Sequence, residues 1–360
     1  MGDGPAVAPP VGMAPLLLTF SPADLEQRYE EWANAGLLAD ADRTFLILAM
    51  ASRAVALAWP AAGAGGSPGL ALMMARAAWP TLAWMLWAAA DLGLRAAAGR
   101  GGLGAWRTPL VISTRFMTTL EAGLGCSDAA SGLLLTALSP RSLLFSALSY
   151  SGLWSLLIMA LAQPLPFRWH IPVHAVALAF VAINAGVPTC AAASCAGMCS
   201  QCRDEAFAWH TIDGMTSLLD GAARACLEVT FGVGNLPGAL EWTVEQPCLQ
   251  LVLFLQLFLG FLVASYFVWL LERRSRVEFI WRAGLGAHAV EQLPAFSCVM
   301  HGVLTWVAFG VTWRVLLYFT PGSGTWGPAP ERLRAPGGAA GAAARNGSIA
   351  GVWDWRWAAA

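Results

Sequence analysis

The sequence predicts an all-α, polytopic transmembrane bundle of six or seven spans, opened by a short amphipathic helix and closed by a disordered tail. Three observations carry that prediction. Of the 360 residues 57% are hydrophobic and only 12% are charged, about half the charge density of an ordinary soluble domain. Six apolar stretches approach or exceed the roughly 20 helical residues that cross ~30 Å of hydrocarbon, and a soluble fold has too little polar surface to cover six of them. Trp59, Trp169, Trp269 and Tyr318 fall at stretch ends, the headgroup level that such rings prefer. The basic residues are all arginine, and basic and acidic residues number 21 and 22 for a formal net charge of -1. No basic field exists to hold nucleic acid, and the expected partner is the lipid bilayer.

Residues 1–43 precede the bundle. Met1 to Pro10 has neither the basic n-region of a signal peptide nor an Arg for a transit peptide. Ala6 stands where N-myristoylation expects Ser or Thr, so insertion is assigned to the spans themselves. A helix is expected over 21–35: Ser21 caps it, Pro22 suits its first position, Asp24 enters the first turn, and Phe20 and Leu25 are spaced for a hydrophobic staple. Leu25, Tyr29 and Trp32 share one face, opposite Glu26, Glu30 and Glu31. Its acidity disfavours anionic lipid, and packing on the chain's own bundle is the expectation.

The bundle itself covers 44–319. The clearest span is 249–271, a run of 23 residues without a charge that ends at Glu272-Arg273-Arg274-Ser275-Arg276. Spans 143–162 and 171–190, joined through Pro164 and Pro166, are expected to be antiparallel neighbours. Span 69–90 carries Arg76 and Pro80, span 294–319 carries His301 and Arg314, and span 44–59 carries Arg53 near its middle. Trp84, Trp154 and Trp306 lie inside spans, where packing within the bundle is expected. The stretch 106–140 is apolar but broken by Arg107, Arg115, Glu121 and Asp128. An extra span there, or alternatively between Phe207 and Phe231, puts the N-terminus and the Arg-rich connections 95–115 and 273–282 together in the cytoplasm, with the tail outside. Six spans place those two connections on opposite sides. Residues 320–360 are Gly/Pro/Ala-rich with little to bury and are expected to be disordered. Asn346-Gly347-Ser348 is a glycosylation acceptor by pattern if that tail lies outside.

Cys190, Cys195, Cys199 and Cys202 form the most specific local pattern, C-x4-C-x3-C-x2-C. An oxidising compartment makes them two disulfides, a reducing one leaves them as thiols, and zinc is a third reading although only Cys199 and Cys202 form a CxxC knuckle. His170 and His174 have helical i,i+4 spacing, as in metal sites. The chain's 5 histidines are too few for the histidine boxes of membrane di-iron desaturases. A single zinc site can draw on His170 and His174 with His210 or Asp213, but Pro172 marks a helix start that sets the pair on different faces. No cofactor is therefore expected. Arg53 and Arg76 cost about 2.5–3.5 kcal/mol each at a helix centre. Their compensation comes from Glu121, from backbone carbonyls or from water, and Arg53, Arg76 and Glu121 are the candidate polar site for a small anionic ligand; the alternative is snorkelling, which is also expected of Arg314.

Ser149-Tyr150-Ser151-Gly152 and His301-Gly302 resemble, over these residues only, the GxSG and His of rhomboid-type intramembrane proteases; Ser149 occupies the place of the motif's Gly, and no residue role is carried over. No P-loop, dinucleotide fingerprint, EF-hand or kinase signature occurs. The expected function is a non-enzymatic sensing, transport or scaffold domain of the plasma membrane or an endomembrane, with a membrane-embedded hydrolase using zinc or serine as the alternative.

Overall fold

Helices form where the apolar stretches run, and most extend past the lengths that hydropathy predicts. The computed structural model describes residues 12–14, 18–21, 23–35, 37–63, 68–102, 106–133, 151–190, 205–232, 247–284 and 298–319. The chain divides into two units, Met1–Pro321 and Gly322–Ala360, and every described residue belongs to the first. The tail expected at 320–360 thus lies outside the described residues. A small antiparallel hairpin, β1 (Gly12–Met13) with β2 (Phe20–Ser21), leads into α1 (Ala23–Ala35). Then come α2 (Leu37–Gly63), α3 (Pro68–Gly102), α4 (Arg107–Leu133), α5 (Leu153–Ala162) and α6 (Phe167–Cys190). The last three are α7 (Glu205–Phe231), α8 (Pro247–Arg282) and α9 (Cys298–Phe319).

The spans expected at 44–59, 69–90 and 249–271 therefore lie in longer helices. Hydropathy stops at Asp42, Asp91, Arg95 and Glu272, yet each of these side chains is buried or nearly so and engaged by an opposite charge. Paired charges do not end a helix as solvated ones do. The stretch 106–140 holds α4, and within 143–162 the described helix is α5.

Side-chain contacts fix each helix's direction. One end of the bundle, the near end, gathers α1, Asp42 of α2, Arg95 of α3 and Arg107 of α4, with Arg95 and Arg107 both bound to Asp42. The α5–α6 connection is there as well, since Arg107 donates to the Pro164 carbonyl at 3.0 Å. So is the end of α8, where Arg276 meets Glu26 of α1 at 2.6 Å. At the far end a disulfide joins Cys190, the last residue of α6, to Cys248 near the start of α8. Helix α9 antiparallels α8, with His301 beside Tyr266 and the Trp313 carbonyl accepting from Gln250 at 3.2 Å. Helix α7 antiparallels α9, because Asp220 accepts from Trp313 Nε1 and Cys226 donates to the Trp306 carbonyl. Consequently α2, α4, α6 and α9 run from near to far, and α3, α5, α7 and α8 run back.

Close packing rests on small residues, as helix association in lipid requires when lipid tails are as apolar as side chains. At Gly152, φ is +77° and a Cβ would lie 2.5 Å from Val181 Cγ1, so only glycine seats α5 against α6. Leu156 and Met159 of α5 pack there on Ala177 and Val181 of α6. Two π-helical turns, Ala182–Gly186 in α6 and Gln256–Val263 in α8, face each other where Gly186 meets Gln256. Trp84 is fully buried, as packing within the bundle requires, but Trp154 and Trp306 are 47% and 43% exposed. The correction follows from helix phase: the faces of α5 and α9 that carry them point away from the bundle. Among the described residues three helical segments, Phe167–Cys190, Pro247–Arg282 and Val299–Leu317, are long and apolar enough to cross a membrane, which is compatible with an integral membrane protein.

Candidate functional site

The near end carries a buried ionic layer in two halves. In the first, Arg276 reaches Glu26 of α1 at 2.6 and 2.7 Å and Glu272 one turn earlier at 2.6 and 3.0 Å. Its guanidinium lies over the rings of Phe20 at 4.8 Å and Tyr29 at 4.1 Å, contacts strengthened by desolvation. Glu26 also accepts from the Phe20 amide at 2.7 Å and Glu272 from that of Phe167 at 2.5 Å, so the triad ties the hairpin, α1, α6 and α8 together. Around it Phe20, Leu25, Tyr29 and Ala33 pack on Phe279 and Ile280. Here the amphipathic helix docks on its own bundle. Burial, with the charge of Glu272 adding to it, pushes the Tyr29 phenol up, while Tyr29 donates to Ser275 Oγ at 3.2 Å. Glu30 pairs with Arg168 at the start of α6, and burial raises its carboxyl above the usual range despite that arginine.

In the second half, Asp42 accepts from Arg107 at 2.8 and 3.0 Å and from Arg95 at 3.0 Å. Asp91 accepts from Arg95 at 2.7 Å and from Thr114 at 3.2 Å. Deeper along the same helices Arg53 meets Glu121 through Nε at 2.8 and 2.9 Å and through Nη2 at 2.5 Å, and its guanidinium lies 3.7 Å above the Trp84 ring. The structure thus brings Arg53 and Glu121 together as a neutral pair. The side chain of Arg76 lies outside the described residues. Arg314, expected to snorkel, instead has Asp220 of α7 at 3.9 Å, because α7 packs along α9 and supplies a carboxylate at that level.

A further fully buried polar centre lies between α4, α6 and α8. Arg115, 1% exposed, contacts His170 Nδ1 at 3.1 Å and donates to the Gln163 carbonyl; its Nε has no partner. Arginine only donates, so His170 Nδ1 is the acceptor, its proton sits on Nε2, and that group faces Ser265 Oγ at 3.1 Å. His174 Nε2 donates to the Gly260 carbonyl at 2.7 Å. That carbonyl belongs to the π-helical turn of α8, whose widened winding leaves acceptors outside the helical ladder. The histidine ring centroids are 4.8 Å apart. Helix α6 begins at Phe167, so Pro172 sits inside it and the two imidazoles share a face, contrary to the expectation from sequence. Among the described residues no group of three His, Cys, Asp or Glu side chains is placed to hold a metal.

The remaining sequence candidates are spread out. Cys190 is bonded to Cys248, while Cys195, Cys199 and Cys202 lie outside the described residues. Ser151 is level with Gln256 of α8, which donates to its carbonyl at 2.6 Å, whereas His301 is level with Tyr266. Ten helical residues, about 15 Å of axial rise, separate those levels, so the serine and histidine do not meet. Asp213 adjoins Ile212, which packs with Cys190 and Cys248 at the far end, distant from the His170–His174 pair. The side chain of His210 lies outside the described residues.

Arg115, Gln163, Ser265 and the Glu26–Arg276–Glu272 triad were missed from sequence. A signal existed for Arg115: the insertion cost that singled out Arg53 applies to it equally. Gln163 and Ser265 carry no such signal. No protein-family model, no curated protein and no solved structure matches the chain.

Proposed function

We propose that the chain is a seven-crossing integral membrane protein that handles a small ligand, as a sensor or transporter without enzymatic chemistry. The crossings are α2, α3, α4, α5, α6, α8 and α9, with α7 parallel to α8 and outside the alternation. The observation that carries this reading is helix direction. Taken in chain order the seven alternate, which brings α1 and both Arg-rich connections to one end, the arrangement that the positive-inside rule favours for a cytoplasmic face. The Cys190–Cys248 disulfide at the opposite end is of the kind that persists in an oxidising compartment. A plasma membrane or endomembrane orientation, with the near end in the cytoplasm, meets both conditions. Ligand handling is preferred over a passive scaffold because Arg115, His170 and His174 are polar side chains fully withdrawn from solvent inside the bundle, a placement that is costly and marks ligand or ion pathways.

Reporter fusions after Arg282 and after Pro321, expressed in intact cells, test the topology. The expected result is a cytoplasmic reporter after Arg282 and an external one after Pro321; two reporters on one side remove the seven-crossing arrangement.

A further inference from the structure

We propose that the buried polar centre binds a small monovalent anion at Arg115. The proposal names the ligand class of the ligand-handling site above and rests on that reading. It starts from how the buried charges are paired. Asp42, Asp91, Glu26 and Glu272 equal Arg95, Arg107, Arg276 and Arg115 in number, but the contacts are not shared evenly, since Arg276 alone holds two carboxylates. Arg95 and Arg107 contact Asp42 and Asp91 at 2.7 to 3.0 Å. Arg115 contacts none, its partners being a neutral imidazole nitrogen and a backbone carbonyl. Among the described residues Arg115 is thus a guanidinium that no carboxylate touches, and it is as deeply buried as Arg107 and Arg276. A buried charge without a counter-charge is strongly unfavourable, so the centre draws in an anion.

Arg115 Nε–H is buried and unpartnered, a free donor on the charged group itself; the side-chain amide of Gln163, whose own backbone carbonyl holds Arg115, leaves both its Nε2 donor and its Oε1 acceptor unmet. Gln163 is fully buried. An unmet donor on a guanidinium that no carboxylate touches, with the Gln163 amide N–H as a second donor, suits an acceptor carrying one negative charge and few atoms, such as a halide or formate. Arg53, the site suggested by sequence, is excluded by the same reasoning, because Glu121 already supplies its negative charge.

The full chain, purified in detergent in sodium gluconate, is titrated with sodium chloride and separately with sodium formate at constant ionic strength while the thermal midpoint is read. Expected is a saturable rise with at least one of the two small anions, absent in Arg115→Gln and retained in Arg53→Gln. Gln163→Leu, which removes one donor and leaves every charge in place, is expected to weaken the response about tenfold. It decides the matter if Arg115→Gln does not fold. No saturable response from the unaltered chain, an undiminished response in Arg115→Gln, or an unchanged binding midpoint in Gln163→Leu overturns the proposal. Detergent titration does not depend on orientation, so a negative result here with reporters on opposite sides removes the anion alone. Reporters on one side remove the topology alone.

Discussion

A buried guanidinium is costly or stabilising according to what neutralises it, and the chain contains both cases. Arg276 is held by two carboxylates and two aromatic rings. Arg276→Met strands Glu26 and Glu272 without a counter-charge and is expected to cost about 3–5 kcal/mol, read as a lowered thermal midpoint in detergent. For Arg53 the expected signature is non-additivity. Arg53→Met alone strands Glu121, whereas Arg53→Met with Glu121→Leu removes both charges and recovers most of the loss. A double variant as unstable as the sum of the two single ones contradicts the pairing. Arg53 was legible in the sequence because an arginine in mid-span demands a partner, and the nearest carboxylate of an adjoining apolar stretch was Glu121. The triad was not legible: Glu26 and Arg276 are separated by 250 positions, and each alone reads as a solvated residue at a helix end.

Among the elements, α1 gives the sharpest test, because its apolar face is matched to the last turns of α8. Phe279 contacts the rings of Phe20, Tyr29 and Trp32. Phe279→Ala is expected to cost about 3–5 kcal/mol and to release α1, so that trypsin cuts after Arg28 while the other helices keep their circular dichroism. Glu30 adds a pH dependence. Its carboxyl is raised by burial, only partly offset by Arg168, so the unfolded chain loses this proton first as pH rises. The group's contribution to stability is fully present below the ordinary carboxylate range and fades as pH climbs through the raised value. Glu30→Gln removes that loss and is expected to gain in thermal midpoint over the unaltered chain as pH rises above the ordinary carboxylate value of about 4; a gap that closes as pH rises contradicts the assignment. Helices were legible from apolar run length at the six expected spans, and less so at α4, whose stretch is broken by Arg107, Arg115 and Glu121. Element ends were not, because Asp42, Asp91 and Glu272 look like boundaries until their partners are known. Helix α7 was read only as a less favoured extra crossing, since Asp213, Asp220, Arg224 and Glu228 interrupt its apolar pattern; its packing on α9 through Ala223, Cys226 and Gly310 has no marker in the local sequence.

For the whole molecule, the far-end disulfide and the near-end ionic layer hold opposite ends of one bundle. Cys190 and Cys248 close a loop of 58 residues, for which chain-entropy reasoning gives about 4 kcal/mol. Cys248→Ala is therefore expected to lower the thermal midpoint markedly, and thiol reductant is expected to do the same to the unaltered chain but nothing further to the variant. The cysteine cluster had pointed to disulfide chemistry as one reading, but Cys248 lies far along the chain and nothing in its own surroundings marks it as a partner. The site was legible to the same limited degree: the sequence directed attention to Arg53 with Glu121, which the fold does pair, while Arg115, whose contacts are His170 and the Gln163 carbonyl, was passed over. All of this requires that the helices cross lipid. Washing membranes that carry the full chain with alkaline carbonate tests the requirement directly: the protein is expected to stay in the sedimented membranes and leave them only with detergent. Release into the carbonate supernatant as a dispersed monomer contradicts it.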